Sequence, residues 1–139
     1  MALNTYLTFD GNCRKAFEFY RSVFGGDFVE FQTFADGPPD MPVSEAEKGR
    51  VMHVALPIGS SVLMGSDSSG FGPPVAAGNN FSLSVDAESR ERCDELFGKL
   101  SAGGAVVMPL QDMFWGAYFG QCTDRFGINW MVSHTVPKE

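Results

Sequence analysis

Apolar and polar positions alternate along residues 4–10: Thr5, Leu7 and Phe9 share one side, Asn4, Tyr6 and Thr8 the other. That period of two predicts a strand with one packed and one polar face. Asp10-Gly11-Asn12 then turns the chain, and either the acid or the amide can cap a helix begun there. Cys13, Ala16, Phe17, Tyr20, Val23 and Phe24 recur every three or four residues, which predicts an amphipathic helix over 13–24 ended by Gly25-Gly26. Strand signals come next at 27–34, 50–57 and 61–66, with the Pro-, Gly- and charge-rich stretch 35–49 as a loop. After a linker at 68–78 the order returns: a strand at 80–86, a helix at 88–101 with Cys93, Leu96, Phe97 and Leu100 on one stripe, and strands near 105–112, 115–123 and 128–134. Each half, 1–67 and 79–139, is therefore β-α-β-β-β. Two such modules predict a single α+β domain whose strands close into one curved mixed sheet around a cup, with the helices on its convex side.

The halves also correspond residue by residue. Asn4, Leu7, Thr8, Phe9 and Asp10 match Asn80, Leu83, Ser84, Val85 and Asp86 at a constant offset, which also sets Tyr20 against Leu96 and Phe24 against Leu100, each ahead of a glycine pair. An internal repeat of this kind places a ligand in the cleft where the modules meet.

At 139 residues and 44% apolar, the chain can bury about two-thirds of its unfolded surface and should fold without metal or disulfide staples. Cys13, Cys93 and Cys122 form no CxxC pair and fall in periodic apolar segments, which fits core side chains in a reducing, cytoplasmic compartment. No apolar run approaches the ~20 residues of a membrane span. A net charge of −7 with scattered Lys and Arg argues against nucleic acid as a partner. Gly70 and Gly72 begin to look like a dinucleotide loop, but Val75 stands where the last glycine belongs and Pro73-Pro74 forbid the helix. Phosphate-loop, GxSxG and HExxH motifs are missing, and the two histidines, His53 and His134, lie far apart in sequence.

The segments LTFDGNCRKAFEFYRSVFGG (7–26), MHVALPIGSSVLMGSD (52–67), NNFSLSVDAESRERCDELFGKLSAGG (79–104) and MPLQDMFWGAYFGQCTDRFGINWMVS (108–133) cover nearly the whole chain. They resemble the glyoxalase, bleomycin-resistance and dihydroxybiphenyl dioxygenase (vicinal oxygen chelate) superfamily, in its PhnB-like branch. Members of that branch often carry a demethylubiquinone methyltransferase label, yet the chain has no Gly-rich strand-to-helix loop of the kind S-adenosylmethionine usually needs. The resemblance implies one divalent ion held by first- and fourth-strand residues of each module. Those positions fall at Asn4 (or Thr5), Asn80, Met64 and Met131, and thioethers and amides are poor ligands for a hard cation, which points to a member without the usual metal.

Strand alternation, taken separately, turns Asn4, Tyr6, Thr8, Asn80, Ser82, Ser84, Asn129, Met131 and Ser133 into the cup, and packs Leu7, Phe9, Leu83, Val85, Ile128, Trp130 and Val132 against the helices. His53 then faces inward opposite Tyr118, making these two the candidate catalytic pair; a histidine can serve as base or ligand near neutral pH. Asn4, Tyr6, Met64, Asn80, Ser82, Trp115 and Met131 are the candidate ligand contacts. Phe114, Trp115, Tyr118 and Phe119 would form either an aromatic wall for a flat substrate or packing for the core or a dimer. Three functions are open as expectations: a metal-free homodimer binding a small organic molecule, a metal-dependent lyase, isomerase or dioxygenase, or a resistance protein that sequesters an antibiotic.

Overall fold

The computed structural model describes residues 1–37, 44–68 and 73–135. The N-terminal unit, Met1–Ala76, contains β1 (Thr5–Phe9), α1 (Cys13–Phe24), β2 (Glu30–Thr33), a 3-10 turn (Phe34–Asp36), β3 (Val51–Ile58) and β4 (Ser61–Asp67). The C-terminal unit, Ala77–Glu139, contains β5 (Leu83–Asp86), α2 (Arg90–Ser101), β6 (Ala105–Asp112), β7 (Ala117–Thr123) and β8 (Asn129–Thr135). Each carries one mixed four-stranded sheet, in the orders β1-β4-β3-β2 and β5-β8-β7-β6. In both, the first strand runs parallel to the last and the others pair antiparallel. The α+β class and the element order stand as expected. Instead of one curved sheet, the described strands form two. The second module's first strand begins at Leu83 rather than residue 80, and the Gly70-Gly72 stretch and part of the 35–49 loop lie outside the described residues.

Helix α1 buries Cys13, Ala16, Phe17, Tyr20 and Val23 against its sheet, the stripe its spacing predicts. The contact is close because β4 offers Gly65 there: a Cβ on Gly65 would stand 2.6 Å from the Phe17 ring. The expected cap is replaced. Asn12 makes no side-chain cap. The carboxylate of Asp67, at the far end of β4, accepts from the backbone N–H groups of Gly11 (2.8 Å), Cys13 (3.0 Å) and Val51 (2.8 Å). One buried acid thus joins the start of α1 to the start of β3. Helix α2 is capped locally, Ser89 accepting from Arg92 N–H at 3.1 Å. In the C-terminal unit the buried acid is Asp124, which accepts from Phe126 N–H, Ile128 N–H and Trp130 Nε1–H and so shapes the β7–β8 turn.

All three cysteines are free and buried. Burial, with Asp67 nearby, pushes the Cys13 thiol up to about 12. Burial, with Asp124 nearby, pushes Cys122 to about 11, and burial raises Cys93. The thiolate is the reactive form. A thiol-specific reagent at pH 8 is therefore expected to label none of the three in the native protein and all three after denaturation; rapid labelling of any native thiol would contradict this account of the core.

Candidate functional site

The face of the N-terminal sheet turned away from α1 is where chemistry gathers. Directly paired residues point to the same side of a sheet, so the register fixes two rows. Leu7, Gly65, Val54 and Phe31 line up beneath α1, while Tyr6, Met64, Ala55 and Glu30 line up on the opposite face. His53 pairs with Gln32 on β2 and follows the alternation of Ala55, which puts it on that open face. Its placement agrees with the alternation read from the sequence.

His53 sits between two partners. Its Nε2 lies 2.9 Å from the Glu30 carboxylate, and its Nδ1 lies 3.4 Å from the Tyr6 hydroxyl. The Tyr6 and His53 rings stack at 5.8 Å between centroids with 23° between planes. A carboxylate can only accept, so Nε2 carries the hydrogen. In the neutral form of the ring the lone pair is then on Nδ1, where the Tyr6 hydroxyl can donate to it. Tyr6 is 48% exposed, so the stacked pair is open to a ligand. Glu30 was not among the candidates from sequence. A signal for it exists, since Glu30 and Gln32 alternate with Val29, Phe31 and Thr33, but the partner strand cannot be read from that pattern.

Tyr118 does not share this environment. It pairs with His134 and Asp112, and its hydroxyl donates to Asp94 of α2 at 2.6 Å, so it lies on the helix side of the C-terminal sheet. The Arg90 guanidinium covers its ring at 4.0 Å and pairs with Asp112. The hydrogen bond to Asp94 raises the pKa of the phenol, with burial adding to the shift. Tyr118 thus ties α2 to the sheet. The register explains the difference. Met64 pairs with Ala55 and Met131 with Gln121, so the residue matching His53 is Phe119.

The same pairs correct the repeat. Met64 faces Tyr6, but Met131 faces Ser84, two residues beyond the match that the sequence offset gives. Phe119 is one edge of an aromatic group at the β6–β7 turn, 6.2 Å from Trp115, which in turn contacts the fully exposed Phe114. Asn4 precedes β1, and Asn80 and Ser82 precede β5; all three are exposed. His134 binds the Ala87 carbonyl through Nδ1 at 2.8 Å, a structural tie.

The superfamily's metal positions do not fit a hard cation here. Met64 and Met131 present thioethers, Asn4 and Asn80 lie outside the strands, and among the described residues no three His, Cys, Asp or Glu side chains cluster as a metal site would require.

Four similarities bear on this geometry. A family model described as 3-demethylubiquinone-9 3-methyltransferase matches residues 1–133. The crystal structure of protein PA1353 from Pseudomonas aeruginosa is similar with a TM-score of 0.87 at 38% identity, covering 97% of this chain and 98% of that one. The PhnB protein of Bacillus cereus, named for the same methyltransferase, gives 0.77 at 26% identity over 97% and 100%. A glyoxalase/bleomycin resistance protein/dioxygenase family enzyme from Burkholderia phytofirmans shares the fold, at 0.61 and 17% identity over 95% and 98%.

Proposed function

The chain belongs to the family of 3-demethylubiquinone-9 3-methyltransferase and PhnB-like proteins, of the glyoxalase/bleomycin-resistance/dioxygenase superfamily, and from that premise we propose that it binds a small, neutral or weakly cationic organic molecule without the superfamily's divalent ion. The binding surface is the open face of the N-terminal sheet. The observation that carries this is His53, held between Glu30 and a half-exposed Tyr6. Met64 and the two stacked rings give a flat ligand an apolar platform. On the register rows of that face, the formal charge is the carboxylate of Glu30, which favours cations and repels carboxylates and phosphates.

Methyl transfer is not part of the proposal. The two strand-to-helix connections, residues 10–12 and 87–89, are three residues long and hold one glycine between them, too little for a methyl-donor loop. A cytoplasmic homodimer belongs to the same proposal, supported by the unpaired buried thiols and by the exposed Val106, Val107, Phe114 and Trp115.

One preparation tests both halves of the proposal. Elemental analysis of protein purified without chelator is expected to find far less than one divalent ion per chain; one tightly bound ion per chain would favour the metal-dependent enzyme. Titration with benzylamine, benzyl alcohol and benzoate is expected to move the NMR signals of Tyr6 and His53 with the first two only. His53→Ala, at a part-exposed site, should keep the fold and lose those shifts. Equal shifts with benzoate, or none with any probe, would remove the ligand assignment.

A further inference from the structure

We propose that Glu30, His53 and Tyr6 work as one proton relay whose outward end is the Tyr6 hydroxyl, with Glu30 as a positioning residue. The relay rests on the N-terminal sheet face being the ligand surface. Its members come from three strands, β2, β3 and β1, and face away from α1. The order of contacts is chemically directed. Glu30 fixes the hydrogen on Nε2, which aims the Nδ1 lone pair at the Tyr6 O–H. Carboxylate–imidazole pairs orient the ring and stabilise its cation in the same way in other catalytic arrangements.

The proton balance is simple. A weakly acidic ligand set against Tyr6 gives its proton to the phenol oxygen as the phenol proton moves to Nδ1. The ligand keeps the electron pair, and the new imidazolium is held by Glu30; the reverse step returns the proton. The class of ligand served is therefore a neutral compound with a weakly acidic O–H, or with a C–H beside a carbonyl. On the face that carries His53, Ala55 and Met64 in the row of Tyr6 and Glu30, Gln32 paired with His53, and the neighbouring pair Thr8 and Ser66 do not titrate, so Tyr6 and Glu30 are the titratable neighbours of His53 there.

The test needs no ligand. The full chain is labelled with 13Cζ-tyrosine, the Tyr6 signal is assigned by Tyr6→Phe, and the pH is scanned across the His53 transition. Protonation of Nδ1 removes the acceptor of the Tyr6 hydroxyl, so the Tyr6 signal is expected to show an inflection with the midpoint of His53. His53→Gln should abolish the inflection, and Glu30→Ala should at least halve its amplitude by releasing the ring. A flat Tyr6 signal in the wild type overturns the relay, and full amplitude in Glu30→Ala overturns the role of Glu30. Either result leaves the ligand titration standing, so the two proposals fail separately.

Discussion

Asp67→Ala is expected to lower stability by about 3–5 kcal/mol, because it strands two buried N–H donors, which cost about 1–3 kcal/mol each when unpaired, and a third that is part-buried. Asp67 is 4% exposed and serves Gly11, Cys13 and Val51 together. Water cannot replace it without opening the junction of α1, β3 and β4. A domain of ordinary stability, about 5–15 kcal/mol, would be left marginal. Asp67→Asn keeps one acceptor oxygen and should lose about half as much. Asp10→Ala is the control: its side chain is 71% exposed and its pair with Arg50 is a surface one, worth under about 1 kcal/mol. Urea unfolding followed by circular dichroism measures all three. Equal midpoints for Asp67→Ala and Asp10→Ala would refute the role given to Asp67.

Gly104→Ala is expected to cost about 3 kcal/mol, at the upper end for overpacking. A Cβ there would lie 2.1 Å from the Thr123 carbonyl oxygen and 2.8 Å from the Asp124 carbonyl carbon. Both obstacles are backbone, and the turn that contains them is pinned by Asp124 through Phe126, Ile128 and Trp130. The strand can make room only by breaking that turn. Thermal unfolding monitored through Trp130 should show the loss, and an unchanged melting temperature would mean the β6–β7 edge yields more easily than its hydrogen bonds imply.

Much of the fold was legible because it follows from local periodicity. Helix α1 runs over Cys13–Phe24 and β6 over Ala105–Asp112, as their spacings predict. The hidden part depends on register, which a single strand does not encode. The slips at Gln32/Thr33 and along β6 change which residues face each other, and a shift of one residue in the match between halves put Tyr118 where Phe119 belongs. Glu30 was missed for the same reason, since its value lies in a partner on another strand. The glycine pairs show a related limit. Gly25 and Gly26 look like Gly103 and Gly104 in sequence, but the first two provide positive φ in open space, whereas Gly104 provides room for a carbonyl.

The two ways of capping a helix give the units different routes to the native state. Ser89 and Arg92 are neighbours, so α2 can complete its first turn while the rest of the chain is still unfolded. The start of α1 waits for Asp67, 54 residues beyond Cys13. That loop must close, with its entropic cost, before the helix gains its cap. The cap of α1, unlike that of α2, is therefore complete only with the end of β4 in place, and β4 belongs to the sheet whose opposite face carries His53.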